Sequence, residues 1–163
     1  YPKQGVQFRD ITTLLKDPLG LKVTIDEFHK RYVDQRIDKV VGVESRGFLV
    51  GAPLAYKLGV GFVPIRKGGK LPAETMGHDY ELEYGSDRVE IHKDAIEKGE
   101  RILLVDDLIA TGGTALASAA LIEKLGGEVV ECAFIIDLIS LGGRKRLEAK
   151  GHTMFALCEF EGE

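Results

Sequence analysis

Four short apolar runs constrain the fold of this chain more than any other feature. The runs are continuous rather than alternating, as in strands covered on both faces, and so they predict a parallel sheet. They are Lys39–Val43, Gly61–Ile65, Arg101–Val105 and Val129–Ile136. Helix-like stretches lie between or after them at 48–58, 114–125 and 143–150, and an amphipathic helix near 21–35 precedes the first. This alternation predicts an α/β domain with a mostly parallel central sheet flanked by helices.

The apolar side chains also predict part of the core. The helix near 21–35 has an expected apolar face of Val23, Phe28, Tyr32 and Val33. Cys132 and Cys158 each lie in an apolar run rather than in a cysteine pair or a Cys–His cluster, so neither a zinc site nor a disulfide framework is indicated. We expect both cysteines in the core.

Size and charge narrow the class of protein. The 163 residues fit one domain, and 22 basic against 26 acidic side chains leave a formal charge of −4. A mildly acidic chain without a basic tail disfavours nucleic acid or an anionic membrane as its main partner. The longest segment without a charged side chain, 108–122, is too short for a membrane helix. Because the first residues lack the apolar core of a signal peptide, we expect a cytoplasmic protein.

The segment 67–79 departs from the strand–helix pattern because it is polar and rich in glycine and other turn-forming residues. Two alternating stretches, YELEYG and DRVEIH, follow and predict a hairpin. A loop of this length inside a compact domain is usually functional, so the pattern favours a flexible lid.

The most informative segment is 102–114, ILLVDDLIATGGT, where a buried strand leads into an acidic pair and a glycine turn that opens a helix. Gly112 and Gly113 allow backbone N–H groups to turn inward, while Thr111 and Thr114 add hydroxyl donors. The helix N-terminus favours an anion. The combination predicts a phosphate site beyond the carboxyl end of the strand.

The acidic pair Asp106 and Asp107 narrows the ligand further. Carboxylates repel phosphate but accept hydrogen bonds from vicinal hydroxyls, so the pair suits a phosphorylated sugar with a free diol, such as ribose 5-phosphate. The alternative is a solvated strand end followed by a structural glycine turn. The segment is neither a Walker loop, which needs a lysine after the glycines, nor a dinucleotide fingerprint.

Two other strand ends carry cations. In VESRGF, residues 43–48, Arg46 lies just before a helix, where its planar guanidinium could meet an anion. The alternative is a surface ion pair. RKGGK, residues 66–70, combines three cations with two glycines and by itself could equally be a solvated basic loop.

The run VDDLIATGGT resembles the phosphoribosyl pyrophosphate motif of the type I phosphoribosyltransferases. Three further segments, VQFRDIT, VPIRKGGKLP and LEYGSDRVEIHKDAI, are similar to the members of that family that act on adenine, over essentially the whole chain. The resemblance implies one domain over 1–163, with a base-binding hood at 1–20, a lid at 66–84 and the sugar motif at 102–114. It also implies transfer of 5-phosphoribose from 5-phosphoribosyl 1-pyrophosphate to adenine, with AMP and pyrophosphate as products.

The same resemblance implies roles for individual residues. Asp106 and Asp107 would bind the ribose hydroxyls, and the 5-phosphate would be wrapped by Ala110, Thr111, Gly112, Gly113 and Thr114. Pyrophosphate would be held by Glu44, Ser45, Arg46, Arg66, Lys67 and Lys70, with a cis peptide at Glu44–Ser45. Adenine would be bound by Gln7, Phe8, Arg9 and Leu138. Catalytic roles would fall to Arg46, Glu83 and Tyr84, with Glu83 handling a proton on the base.

The resemblance further implies a homodimer, in which the basic loop acts either within one subunit or across the interface. It implies Mg²⁺ as cofactor, held mainly by substrate and water rather than by protein ligands. Gln4 departs from the family, which has proline at this position in a PKPG turn.

Two alternatives to adenine transfer stay open. A phosphoribosyltransferase for hypoxanthine, guanine or xanthine shares the sugar motif but must read a 6-oxo group, and the FRDIT segment disfavours it. A non-catalytic sensor of phosphoribosyl pyrophosphate predicts an attached DNA-binding module and a basic surface, neither of which the sequence shows.

Overall fold

The computed structural model describes residues 11–82 and 84–161, which contain seven strands and five α-helices. The strands are β1 (Lys39–Val43), β2 (Gly61–Lys67), β3 (Thr75–Glu81), β4 (Ser86–His92), β5 (Arg101–Ile109), β6 (Glu128–Leu138) and β7 (Met154–Phe160). The helices are α1 (Thr12–Lys16), α2 (Pro18–Tyr32), α3 (Arg46–Leu58), α4 (Gly113–Lys124) and α5 (Gly143–Ala149).

The strands of this described part form one sheet in the order β3-β4-β2-β1-β5-β6-β7. From β2 to β7 all neighbouring strands in that order are parallel. Only β4 runs antiparallel to its two neighbours, β2 and β3. The prediction of a mostly parallel sheet flanked by helices is therefore confirmed. None of the helices in the described ranges is both long and apolar enough to cross a membrane.

Helices cover both faces of the parallel strands and create two apolar cores. The core on the α4 face includes Leu104 and Leu121, and the core on the face of α2 and α3 includes Phe28 and Leu103. Consecutive residues of β5 therefore enter opposite cores. This two-sided burial is the physical reason that the strand's sequence shows no polar alternation.

Among the strands that extend beyond the sequence patterns, β5 and β3 do so furthest. β5 continues through Asp106 and Asp107 to Ile109, because its pairing with β6 reaches as far as Asp137. β3 begins at Thr75, so part of the polar segment 67–79 is strand rather than loop. Pairing with β4 along its whole length stabilises this polar strand despite its composition.

Three predictions about the core were wrong. Val23 and Val33 are each 48% exposed, because Ile25 and the residues three and seven positions after it form the buried face of α2. Cys158 is exposed, whereas Cys132 is buried as expected. Cys158 lies near the end of β7, the edge strand of the sheet, and only Met154 of that strand is buried.

A carboxylate at the start of β6 fixes α2 to the sheet. Glu131 Oε1 lies 2.7 Å from Arg31 Nε and accepts a hydrogen bond of 2.7 Å from the hydroxyl of the buried Tyr32. The Arg31 guanidinium also lies 4.1 Å from the centre of the Phe155 ring. Burial acts to raise the pKa of Glu131, but the hydrogen bonds from Arg31 and Tyr32 outweigh burial and leave the pKa below its usual 4.5.

We expect Glu131→Gln to lower the free energy of unfolding by about 1–2 kcal/mol at neutral pH. Because the folded-state pKa lies below the unfolded one, the carboxylate's contribution is present above the unfolded pKa. It is lost as the pH falls through the folded pKa. Urea unfolding of the wild type and of Glu131→Gln at several pH values should therefore show that the difference between their free energies of unfolding becomes smaller as the pH falls. A difference in unfolding free energy that does not change with pH would contradict this prediction. The control is Glu128→Gln, at an exposed site on the same strand, which should change the unfolding free energy little.

Candidate active site

The carboxyl ends of three neighbouring parallel strands, β2, β1 and β5, lie at one edge of the sheet. The segments that leave these strands line a cavity of about 610 Å³. This volume is sufficient for a small-molecule ligand. Its position agrees with the rule that open α/β sheets bind ligands beyond the carboxyl ends of their strands.

Most of the predicted site residues line this cavity. They are Glu44, Ser45, Arg46, Lys67, Asp106, Asp107, Ala110, Thr111, Gly112, Gly113 and Thr114. Arg66 and Lys70 lie at the same strand end but are not among its lining residues. Leu138 packs against the core on the face of α2 and α3, and Tyr84 is 87% exposed. Gln7, Phe8, Arg9 and Glu83 lie outside the described residues, so their roles stay predictions.

The loop 110–112 joins β5 to α4 and has the form predicted for a phosphate site. Gly112 has φ +92°, a left-handed conformation that favours glycine. The N–H of Gly143, the first residue of α5, donates to the Ala110 carbonyl at 3.1 Å. A Cβ added to Gly112 would lie 3.1 Å from the Gly143 Cα. The start of α5 therefore packs against this loop and holds it in position. The N–H groups at the N-terminus of α4 have no carbonyl partners within the helix and can bind a ligand.

The acidic pair lies at the cavity wall. The Asp107 N–H donates to Asp106 Oδ1 at 2.8 Å, and Arg46 Nε lies 2.7 Å from Asp107 Oδ2. Asp107 is only 5% exposed, and its Oδ2 has no hydrogen bond of good geometry among the described residues. Burial raises the pKa of Asp106 well above its ordinary value, and the neighbouring Asp107 carboxylate adds to the rise. The pair thus keeps acceptor capacity for a hydroxyl-bearing ligand.

The peptide bond between Glu44 and Ser45 is cis, as the resemblance implied. The Glu44 side chain faces the basic loop: it accepts a hydrogen bond from the Lys67 N–H, and Lys70 Nζ lies 3.1 Å from its Oε2. Burial acts to raise the pKa of Glu44, but the Lys67 N–H and the Lys70 ammonium outweigh burial and lower it. Since a carboxylate repels pyrophosphate, any contact of Glu44 with that anion belongs to its backbone.

The cavity wall also contains residues that the sequence motifs do not single out, among them Tyr80 and Arg146. Tyr80, on β3, lies against the start of α4, and Arg146, on α5, donates from Nη1 to the Thr111 carbonyl at 2.7 Å. Tyr80 belongs to a stretch that the sequence predicts as a hairpin and as part of the lid, without a role for this side chain. The signal for Arg146 is a fourth strand end followed by two glycines and a basic stretch, LGGRKR, which resembles the strand-glycine-helix pattern of 102–114.

The chain is similar to known proteins in sequence and in fold. A family model described as the phosphoribosyl transferase domain matches residues 12–155. The adenine phosphoribosyltransferase of Nitrosospira multiformis is 70% identical over 162 residues, which cover 99% of this chain and 93% of that protein. The crystal structure of the enzyme of that name from Thermoanaerobacter pseudethanolicus is 52% identical with a TM-score of 0.90, and the match covers 98% of this chain and 91% of the other.

A third comparison includes ligands. The structure of adenine phosphoribosyl transferase from Trypanosoma brucei, in complex with AMP, pyrophosphate and ribose-5-phosphate, matches with a TM-score of 0.86. It is 31% identical, and the match covers 93% of this chain and 69% of that chain.

The fold and the sugar-phosphate motif define a phosphoribosyltransferase, and the chain belongs to that family. Within the family, the three proteins compared above are all adenine phosphoribosyltransferases. The resemblance drawn from VDDLIATGGT and the three further segments is therefore confirmed.

Proposed function

We propose that the chain transfers 5-phosphoribose from 5-phosphoribosyl 1-pyrophosphate to adenine and releases AMP and pyrophosphate. The observation that carries this proposal is one cavity lined by the loop 110–114, the acidic pair Asp106 and Asp107, and the cations Arg46 and Lys67. The names of the relatives support adenine as the acceptor, and AMP, pyrophosphate and ribose-5-phosphate in the Trypanosoma brucei complex support the product set.

Each part of the cavity suits a different part of the donor. The loop 110–114 binds the 5-phosphate, and the acidic pair accepts hydrogen bonds from the ribose hydroxyls. The bond between the anomeric carbon and the pyrophosphate oxygen breaks, and positive charge develops on the sugar ring. A ring nitrogen of adenine then bonds to the opposite face and loses its proton, which inverts the anomeric carbon. Arg46 and Lys67 offset the charge that develops on the departing pyrophosphate.

Mg²⁺ fits this cavity as a cofactor bound partly by the protein. The Asp106 carboxylate and Asp107 Oδ2, which has the Arg46 guanidinium beside it but no hydrogen bond of good geometry among the described residues, are the kind of oxygen ligands that Mg²⁺ prefers. Within 11–82 and 84–161, no three His, Cys, Asp or Glu side chains come together as a metal site. Substrate and water oxygens would therefore complete its coordination. When bound, the ion offsets negative charge on the leaving group.

The base site and the lid are proposed on the resemblance. Gln7, Phe8, Arg9 and Leu138 bind adenine, and the lid at 66–84 closes over the donor and excludes water. Closure brings Glu83 and Tyr84 to the base, where Glu83 takes the proton from the attacking nitrogen. The exposure of Tyr84 supports this motion, because the side chain can move without leaving a buried position.

The direct test is pyrophosphate release by the purified chain with Mg²⁺ and 5-phosphoribosyl 1-pyrophosphate. Adenine, hypoxanthine, guanine, xanthine or no base is added in parallel reactions. We expect rapid pyrophosphate release in the reaction with adenine and in none of the others. Release with a 6-oxopurine instead would overturn the proposed acceptor, and donor binding without release for any base would support the sensor alternative.

We also propose that two copies pair through the outer face of α3. Leu49 and Tyr56 lie on that face at helical spacing and are 49% and 89% exposed. Apolar side chains aligned in this way suit an isologous contact between identical helices.

We expect Tyr56→Glu to shift the protein from dimer to monomer in sedimentation equilibrium, because it would bury a charge at the contact. The matched control is Val23→Glu, which also replaces an exposed apolar side chain with an acidic one but lies on α2, and it should leave the dimer intact. Unchanged dimerisation of Tyr56→Glu would place the interface elsewhere.

A further inference from the structure

Tyr80 lies where the edge hairpin of β3 and β4 meets the phosphate loop. Its hydroxyl accepts hydrogen bonds from Lys67 Nζ at 2.8 Å and from Thr114 Oγ1 at 3.1 Å. The same hydroxyl donates to Asp87 Oδ2 at 3.3 Å. A tyrosine hydroxyl has one proton to donate and two lone pairs that can accept, so these three contacts use its full capacity.

Two further contacts fix this hydroxyl in place. A Cβ added to Gly113 would lie 3.3 Å from Cδ2 of the Tyr80 ring, so the ring packs directly on the first residue of α4. Lys67 Nζ also lies 2.6 Å from Asp87 Oδ2. Burial acts to lower the pKa of Lys67, but its hydrogen bonds to Asp87 and Tyr80 outweigh burial and raise it, so Lys67 keeps its charge at neutral pH.

We propose that Tyr80 is a positioning residue that connects Lys67 to Thr114 and thereby strengthens binding of the donor's 5-phosphate. This inference rests on the proposed placement of the 5-phosphate in the loop 110–114, and on Lys67 and Tyr80 keeping these contacts while the rest of the lid segment 66–84 closes. In this proposed arrangement Tyr80 contacts neither the anomeric carbon nor the base. It acts through the hydroxyl of Thr114.

The direction of the hydrogen bonds gives the mechanism. The Thr114 hydroxyl has a single proton, which it donates to Tyr80 in the structure described here. When a phosphate oxygen accepts a charge-assisted hydrogen bond from the Thr114 hydroxyl, that hydroxyl no longer donates to Tyr80. Its Oγ1 can then accept a hydrogen bond from Tyr80. The Tyr80 proton then turns from Asp87 to Thr114. Lys67, Tyr80, Thr114 and the phosphate form a chain in which each group donates to the next, and such chains strengthen cooperatively.

Tyr80→Phe tests this directly because it keeps the ring against Gly113 and removes only the hydroxyl. We expect calorimetry to show about a tenfold weaker affinity for ribose 5-phosphate, from the loss of one hydrogen-bond connection to a charged group. The KM for the donor should rise by a similar factor, while kcat and the KM for adenine should each change by less than about twofold.

A double-mutant cycle separates this role from a merely structural one. Thr114→Val removes the last hydroxyl of the chain before the phosphate. If Tyr80 acts through Thr114, adding Tyr80→Phe to Thr114→Val should cost less than about twofold further in ribose 5-phosphate affinity. Equal losses in both backgrounds would overturn the inference, and so would unchanged affinity in Tyr80→Phe alone.

Tyr32→Phe is the matched control, because it also removes a tyrosine hydroxyl hydrogen-bonded to a carboxylate, on the other face of the sheet. It should lower the melting temperature without changing ribose 5-phosphate affinity. The calorimetric test needs no adenine. Ribose 5-phosphate binding that depends on Tyr80, in a protein that fails to use adenine, would support this inference and contradict the proposed acceptor.

Discussion

Replacing Asp107 with alanine is expected to lower kcat/KM for the donor by about a thousandfold. The carboxylate is buried, its Oδ2 has no hydrogen bond of good geometry among the described residues, and it pairs with Arg46 at 2.7 Å. Hydrogen bonds to a charged group contribute about 1.5–3 kcal/mol each. Loss of two such bonds to the ribose hydroxyls, together with release of Arg46 from its partner, accounts for an effect of this size. Steady-state kinetics with varied donor concentration measures it.

Asp94→Ala controls for the loss of an aspartate outside the site, because Asp94 is exposed in the turn after β4. That variant should turn over at the wild-type rate. Arg46 is about half exposed, so water can solvate it in Asp107→Ala and the variant should remain folded, which its melting curve checks. Turnover of folded Asp107→Ala at the wild-type rate would remove this residue from the donor site.

The second large effect is expected from Gly143→Ala, at the start of α5 and outside the predicted motif. A Cβ at this position would lie 2.6 Å from the Ala110 carbonyl oxygen and 2.6 Å from Ile109 Cγ1. Because no real Cβ contact is so short, the loop 110–112 or α5 must move. Displacement of a substrate-binding group by about 1 Å can cost a hundredfold in rate, and we expect kcat/KM for the donor to fall by about that factor. Steady-state kinetics and ribose 5-phosphate calorimetry measure the change.

Gly61→Ala is the matched control because its added Cβ would meet only the Lys39 Cγ, at 3.9 Å, an ordinary van der Waals distance. It lies at the start of β2, at the opposite end of the strand from the cavity. Its kinetics should therefore match the wild type. If Gly143→Ala binds ribose 5-phosphate with unchanged affinity, then α5 does not hold the phosphate loop in position.

The local part of the site could be predicted because its chemistry requires particular residues next to one another. A turn with φ +92° at Gly112 favours glycine, threonine hydroxyls lie on either side of the glycines, and the acidic pair lies near the end of a buried strand. All of these lie within thirteen consecutive residues, 102–114. The cis peptide at Glu44–Ser45 was likewise confirmed, although it came from family resemblance rather than from residue chemistry.

The orientation of individual side chains could not be predicted in the same way. The Glu44 carboxylate contacts the basic loop through Lys67 and Lys70, an arrangement that the sequence pattern does not predict. Val23 was assigned to the core, but the packing of α2 on α3 selected a different stripe of the helix. Both outcomes depend on which neighbour a side chain meets, and periodicity within one segment does not contain that information.

The sequence by itself determined the parallel strands with their helices, the glycine turn of the loop 110–112 and the acidic pair, because burial on both faces and tight turns restrict which residues can stand at each position. Only the tertiary structure brought Tyr80 and Arg146 to the loop, from β3 and α5. Their contacts join residues 34 and 35 positions apart in sequence. These contacts form because α4 packs beside the edge hairpin and α5 packs beside β6. The strand order of the sheet determines these positions, and sequence patterns within one segment do not encode it.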